Sequence, residues 1–390
     1  MDRIEEEAEN LSSVGHFDRN LLPRYLRDYL NNAQVAEAEI REAVETGSLH
    51  RLAIDSILGP ANKRMTVEEL SKRSGVEPSA LRALWRALGF VDSGVGSGLY
   101  SEVDLRAVMA LKPLIRTELG KEIAIKLARI VGSSMARIAE AEVVAALVSE
   151  RSGPTSTVTD EDNMHQELAD RFARFTVRTV SVVPELLGYA WLRHIHASAS
   201  RIVSAQDRNM MGSSLIEVAI GFIDMVGFTA LSQQLSAKEL TTVVANFEAL
   251  AYDTVAELGG RVVKTIGDEV MFVCEDAVLA TEICLVLREK FSDEKSMSAQ
   301  VRAGVAFGPV LPISGDYFGT FVNLASRIVN IASPGTIVVS DAVHDIIDPL
   351  EQFDKFALRS RYIKDIGYEQ LWAVVRRGEL SASEVQDSSR

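Results

Sequence analysis

Two aspartates at the ends of apolar runs are the residues of this sequence best suited to chemistry. Asp224 ends the run 218–223, and Asp268 lies in a Gly267-Asp268 turn between two β-branched runs. Gly-Asp is a common hairpin turn, so Asp268 alone has an ordinary structural explanation. Two strands that each end in an aspartate can instead present both carboxylates at one sheet edge, as oxygen ligands for Mg²⁺ or Mn²⁺. We therefore expect Asp224 and Asp268 to form a divalent-metal site.

The elements around these aspartates predict an α+β fold. In chain order they are a strand at 218–223, a helix at 236–258, the hairpin at 261–273, a helix at 276–291, and strands at 300–307, 335–340 and 369–375. Strand, helix, hairpin, helix, strand is the ferredoxin-like order, an antiparallel sheet covered by helices on one face. This half of the chain is therefore expected to place the two aspartates on a sheet.

Three segments in the same half resemble the successive signatures of class III nucleotide cyclase catalytic domains. They are FIDMVGFTAL (222–231), VVKTIGDEVMFV (262–273) and GDYFGTFVNLASRI (315–328). Three ordered motifs are far more specific than any one of them, and the resemblance predicts a catalytic domain over 213–376. It implies an enzyme in which the ribose 3′-hydroxyl of a nucleoside triphosphate attacks the α-phosphorus and pyrophosphate leaves.

The resemblance also assigns substrate and metal residues. Asp224 and Asp268 match the metal-binding carboxylates, which would hold two ions, Mg²⁺ or Mn²⁺. Lys264 and Asp316 match the purine-reading positions. Adenine offers an amino donor and a ring-nitrogen acceptor, which a carboxylate and a lysine can read, so ATP is expected as the substrate. A guanylate cyclase is the nearest alternative, and this pair argues against it.

A second group of residues is expected to bind the sugar and phosphates. By resemblance, Asn323 orients the ribose and Arg327 stabilises charge on the phosphate; a spacing of four places both on one helix face. In this family these two residues come from one subunit, and the metal and base-reading residues come from the other. Because the chain holds one copy of each set, the resemblance implies a homodimer with two composite sites.

The phosphate-binding assignments are less direct. Main-chain amides in 225–229, including Phe228 and Thr229, enter a helix and are expected to bind phosphate. Lys364 is the candidate triphosphate-binding lysine, although a strict register from the last strand places Ile366 at the usual position. The segment 307–319 is also shorter than the dimer-clasping arm of many family members.

The first half, 1–195, is expected to be an all-helical regulatory domain. Within it, 66–90 resembles a helix-turn-helix, with a capping box at Thr66 and a break at Gly75. Such a motif can read DNA, which leaves open a DNA-binding, nucleotide-sensing regulator with an inactive cyclase-like half. A compact helical packing unit with ordinary solvated charges explains it more simply. The net charge of −14 makes nucleic acid an unlikely partner.

The segment 196–212 is expected to be a linker or switch helix that lets the first half restrain the catalytic half. His194 lies just before this segment and His196 is its first residue. Histidine changes charge near physiological pH, so pH is one candidate signal. The apolar run 172–193 must be covered, either by packing in a dimer or by a fatty acid or other lipid. The first half resembles the helical regulatory domains that precede some bacterial cyclase domains. That resemblance implies pH and fatty acids as regulatory signals.

Composition sets the remaining expectations. The chain has 390 residues, enough for two cores, and its only cysteines are Cys274 and Cys284, which favours a reducing compartment. The acidic N-terminus lacks a basic-then-apolar signal, and no apolar run predicts a membrane span, so we expect a cytoplasmic protein. Residues 1–20 and a polar tail at 377–390 are expected to lack stable structure.

Overall fold

A computed structural model of the chain describes residues 22–59, 64–90, 100–149, 161–179, 182–208, 215–293 and 300–379. The backbone divides into two compact units, with the division between Ile195 and His196. The segment 1–20 and residues 380–390 of the tail lie outside the described residues, as does part of the linker. Each unit is described by itself.

The described part of the first unit is helical, as its sequence predicts. Its helices are α1 (Arg24–Asn32), α2 (Glu37–Glu45), α3 (Leu49–Asp55), α4 (Val67–Ser74), α5 (Pro78–Ala87), α6 (Glu102–Leu111), α7 (Glu118–Ser149), α8 (Glu161–Thr179) and α9 (Val183–Arg208), which runs past the division. Proline is tolerated in the first turn of a helix but disrupts its interior. The α9 helix accordingly begins at Val183, one residue before Pro184. No helix of the described residues is long and apolar enough to cross a membrane.

The helix-turn-helix segment folds as its local signals predict. Thr66 accepts from the Glu69 amide in a capping box, and Gly75 ends α4 with a φ of 68°. Two of its four basic residues form ion pairs: Arg73 pairs with Glu102, and Arg82 lies 3.5 Å from Glu68. These ion pairs leave less positive charge for phosphate than the sequence alone suggests.

The second unit contains one large sheet and a small hairpin. The strands are β1 (Ile216–Met225), β2 (Arg261–Ile266), β3 (Glu269–Cys274), β4 (Val301–Ile313), β5 (Asp316–Phe318), β6 (Ile337–Ser340), β7 (Phe353–Ala357), β8 (Arg361–Ile363), β9 (Gly367–Glu369) and β10 (Leu371–Arg376). The sheet order is β2-β3-β1-β4-β6-β10-β7, with β5 on β4 and β8–β9 separate. The ferredoxin-like α+β class is confirmed, and one pair, β4 with β6, is parallel.

Helices cover both faces of this sheet, whereas the element order predicted helices on one face. They are α10 (Phe228–Gln234), α11 (Ala237–Glu257), α12 (Ala277–Asp293), α13 (Thr320–Ile331) and α14 (Asp341–Ile347). One face, with Ile223 and Phe272, joins the core formed by α11 and α12; the other, with Phe222 and Met271, joins the core under α13. Because strand side chains alternate, Asp224 lies on the α13 face with Phe222.

Glycine lets α13 lie close to the sheet. A Cβ at Gly304 of β4 would lie 2.5 Å from the Val329 amide nitrogen and 2.8 Å from the Ala325 carbonyl oxygen. No side chain fits in that space. Glycine at this position therefore allows the helix that carries Asn323 and Arg327 to pack directly against the backbone of β4.

The segment predicted as the start of the tail is held against α12. Arg288 is 6% exposed, and its Nη2 lies 2.6 Å from both carboxylate oxygens of Glu379. A second ion pair in the same segment, Arg377 with Glu351 at 2.7 Å, is exposed, unlike the buried Arg288. Residues 377–379 therefore contribute to the packing of this unit.

We expect Glu379→Gln to lower the free energy of unfolding by about 2 kcal/mol, because it leaves the buried Arg288 charge with Glu289, 3.9 Å away, as its remaining described ionic partner. Glu351→Gln removes an exposed pair and should change it by less than about 0.5 kcal/mol. Urea unfolding of the full chain, followed by circular dichroism, compares the two variants. Equal losses of unfolding free energy in the two variants would show that the burial of Arg288 does not determine the size of the loss.

Candidate functional site

A row of charged side chains crosses the sheet where β1 ends. Asp224 is directly opposite Glu269 of β3 and Arg302 of β4. Side chains that face one another across neighbouring strands share one face of the sheet. Arg302 Nε donates to Asp224 Oδ2 at 2.7 Å, and its Nη2 lies 2.7 Å from the same oxygen in an ion pair. The arginine thereby holds one carboxylate of the row in a fixed orientation.

Asp268 joins this row from the β2–β3 turn. Its carbonyl oxygen accepts from the Met225 amide at 3.2 Å, so the turn is tied to the end of β1. Burial raises the pKa of Asp268, and the neighbouring Asp224 charge raises it further. Burial also raises the pKa of Glu269 to about 7, with added repulsion from Asp224 and Asp268. The structure therefore brings together the two aspartates that the sequence singles out.

This arrangement fits a divalent cation. Three half-buried carboxylates, Asp224, Asp268 and Glu269, lie near one described arginine, Arg302, so negative groups outnumber the positive one in this cluster. Carboxylate oxygens are the ligands that Mg²⁺ and Mn²⁺ prefer. Asp224 and Asp268 thus satisfy the donor chemistry expected of metal ligands.

The raised pKa of Glu269 predicts a pH-dependent stability. A carboxyl group with a folded-state pKa of about 7, against an ordinary 4.5, stabilises the fold while protonated, and this contribution disappears as the pH rises through 7. In EDTA, Glu269→Gln should therefore raise the melting temperature more at pH 8 than at pH 5. Glu217→Gln, at an exposed position of β1, serves as the control. An equal shift at both pH values for Glu269→Gln would contradict the prediction.

The expected base-reading residues form an ion pair. Lys264 Nζ contacts Asp316 Oδ2, while Asp316 Oδ1 accepts from the Tyr317 amide at 2.8 Å. Both side chains are about one third exposed. Lys264 is opposite Met271, so the pair lies on the same sheet face as Asp224. A lysine donor and a carboxylate acceptor are thus presented side by side, within reach of solvent.

The sugar- and phosphate-binding candidates line a separate cavity of about 350 Å³. Its lining residues are Thr320, Asn323, Ser326, Arg327, Lys364, Asp365 and Ile366. The α13 helix supplies the first four, and the β8–β9 turn supplies the rest. Both candidates for the triphosphate-binding position, Lys364 and Ile366, reach this cavity. A polar pocket with two described cations suits a phosphate group.

The remaining sequence candidates occupy less specific positions. Phe228 begins α10 and packs against the core, and Thr229 follows it in the same helix. Two amides of 225–229 are already used: Met225 donates to Asp268, and Val226 donates to the Gln300 carbonyl at 2.7 Å. His194 and His196 are both exposed on α9.

Sequence reasoning missed Arg302 and Glu269. Both belong to the site because of strand register, which pairs them with Asp224. One signal was present: Arg302 interrupts the apolar run of β4, VRAGVAF, where a charge needs a partner.

Comparisons with known proteins identify the family of the chain. The adenylate and guanylate cyclase catalytic domain matches residues 212–373. An adenylate cyclase of Streptomyces coelicolor is 36% identical over 294 residues, 75% of this chain and 74% of the relative. An adenylate cyclase of Glutamicibacter nicotianae is 30% identical over 377 residues, 91% of this chain and 89% of the relative.

Among solved structures, the catalytic core of a rhodopsin-guanylyl cyclase in complex with ATPαS is 26% identical. The match has a TM-score of 0.39 and covers 41% of this chain and 96% of that one. The catalytic-domain match and the identity to cyclases along most of both sequences establish that the chain belongs to the class III adenylate and guanylate cyclase family.

Proposed function

We propose that this chain is an adenylate cyclase that converts ATP to 3′,5′-cyclic AMP and pyrophosphate. The ion pair of Lys264 with Asp316 carries the choice of adenine. The lysine can donate to a ring nitrogen of adenine, and the carboxylate can accept from its amino group. Guanine presents a carbonyl oxygen and a protonated ring nitrogen at those positions, which reverses the donor and acceptor pattern.

Asp224 and Asp268 would hold the metal, as two Mg²⁺ or Mn²⁺ ions per site. Bound there, the ions would lower the pKa of the ribose 3′-hydroxyl and neutralise charge on the phosphates. The protein side chains align the reactants. Arg302 fixes the orientation of Asp224, and the Met225 amide fixes the turn that carries Asp268. Preorganised groups of this kind act without a reorganisation cost during the reaction.

On the other side of the reaction, Asn323 would orient the ribose and Arg327 would stabilise charge on the α-phosphate, with Lys364 at the triphosphate. These three residues line the cavity beside α13. The carboxylates and the Lys264–Asp316 pair are not among its described lining residues. We therefore propose that the active form is a homodimer in which one subunit supplies the metal and base residues and its partner supplies this cavity.

We also propose that the first half regulates this assembly. The α9 helix carries large apolar side chains that remain exposed in the single chain, among them Trp191 at 64% and Leu186 at 61%. Covering them in a dimer, or with a lipid, would couple the packing of α9 to the arrangement of the subunits. His194 and His196 on the same helix make pH a second candidate input.

The function is tested by incubating the purified full chain with ATP or GTP and Mg²⁺ or Mn²⁺, then quantifying the cyclic nucleotides by chromatography. We expect cyclic AMP from ATP, at a kcat/KM at least about tenfold above that for GTP, because mismatched donors and acceptors leave buried polar groups unpaired. A preference for GTP would identify a guanylate cyclase. No product with either metal would favour a nucleotide-sensing module.

A further inference from the structure

The β5 strand is joined to β2 by two side-chain links. In the backbone, β2 pairs with β3 and β5 pairs with β4. The first link is the Lys264–Asp316 ion pair. In the second, the Arg261 Nη2 atom donates to the Tyr317 hydroxyl at 3.1 Å, and the guanidinium carbon lies 5.5 Å from the centre of the Tyr317 ring. Each link thus joins a residue of β2 to a residue of β5.

A bulge in β2 makes the two links possible. In a regular strand, residues three apart point to opposite faces of the sheet. The register of β2 against β3 shifts between Val262 and Lys264, so Arg261 is opposite Val273 and Lys264 is opposite Met271. Val273 and Met271 both belong to the core on the α13 face. The extra residue therefore brings both cationic side chains to the face where β5 lies.

Tyr317 connects the second link to the base-reading carboxylate. Its side chain is 7% exposed within the core on the α13 face. Its amide donates to Asp316 Oδ1, which leaves Oδ2 for Lys264. Among the described residues, the Nε atom of Arg261 is buried without a hydrogen-bond partner, and the Tyr317 hydroxyl is the acceptor that the guanidinium contacts. Tyr317 directly follows Asp316 in β5, so its position and its amide hydrogen bond both bear on where the Asp316 carboxylate lies.

We propose that Arg261 and Tyr317 form a positioning link that sets the separation of Lys264 and Asp316 and thereby the preference for adenine. This inference rests on the proposed function. Neither residue needs to touch the nucleotide. With the link intact, the lysine and carboxylate match the spacing of the adenine acceptor and donor. When the link is lost, β5 shifts relative to β2 and the pair loses that match.

The test measures kcat and KM for ATP and GTP with the full-length parent, Arg261→Gln and Tyr317→Phe. We expect the ATP-to-GTP ratio of kcat/KM to fall about tenfold in Arg261→Gln and about threefold in Tyr317→Phe, which loses one hydrogen bond. Most of the change should be in the KM for ATP. The double variant should match Arg261→Gln, because both residues act through one link. Arg377→Gln, which removes an exposed arginine, should leave the ratio unchanged.

A purely structural role would give a different result. In that case both variants would lose activity with ATP and GTP by the same factor, and the unchanged ratio would overturn the inference. Circular dichroism identifies unfolding in Arg261→Gln, and Tyr317→Phe, which keeps the buried ring, then decides the question. A parent that forms no cyclic nucleotide would defeat the proposed function and this inference together. A parent that forms cyclic AMP, with the ratio unmoved in the variants, would defeat this inference alone.

Discussion

Replacing Asp268 by asparagine is expected to reduce cyclic AMP formation about 10³-fold, because the change removes a charged oxygen ligand from the carboxylate row. Asparagine has nearly the same shape, and the main-chain bond from the Met225 amide to the carbonyl of residue 268 does not depend on the side chain. The loss should appear in kcat at saturating ATP and Mn²⁺. It should be accompanied by a higher melting temperature in EDTA, because a partly buried charge has been removed.

The matched control for this experiment is Asp253→Asn on α11. Asp253 is an exposed aspartate of the same unit, and we expect its replacement to leave kcat and KM within about twofold of the parent, as surface substitutions usually do. Asp268→Asn with more than about one tenth of the parental kcat would remove Asp268 from the metal site.

Mixing two inactive variants is expected to restore activity. In the proposed homodimer, Asp268→Asn would damage the metal half of the composite site, and Arg327→Gln would damage the cavity half. A heterodimer of the two contains one site with both defects and one intact site. At equal amounts half of the dimers are heterodimers, so about a quarter of the parental activity should return. Co-expression with different affinity tags and sequential purification isolates the heterodimer, which should have about half of the parental activity.

The control for this experiment pairs two defects in the same half. Asp224→Asn mixed with Asp268→Asn leaves every metal site damaged in any dimer, so no activity should return. Failure of the first mixture, in a heterodimer shown to contain both tags, would place the complete site within one chain. Recovery in both mixtures would contradict the assignment of both aspartates to one half.

Local signals in the sequence were sufficient for the elements that present the site. Ser236 begins α11 with a capping box, and the Gly267-Asp268 turn joins two β-branched runs as expected. These features depend on residues close in sequence, so composition and periodicity specify them. The family motifs add Lys264 and Asp316, which the structure places in contact.

Features that depend on distant pairing could not be predicted in this way. Arg302 contacts Asp224 only because β4 lies beside β1 in one particular register, across 78 positions of sequence. The bulge that turns Arg261 and Lys264 to the same face is a shift of one residue in strand register. No residue type in β2 marks that shift in the sequence. The β8–β9 turn brings Lys364 to α13 through packing that follows from the whole sheet.

The carboxylate row also affects how this protein can be engineered. Glu269 and Asp268 are held where their negative charge opposes folding, so neutral replacements there should make the metal-free chain more robust while lowering its activity. A library screened only for heat resistance would therefore enrich variants with a damaged site. Screening in the presence of Mn²⁺ should weaken that bias. An ion that binds only the folded chain stabilises it, and variants that keep the metal-binding carboxylates would gain this stabilisation.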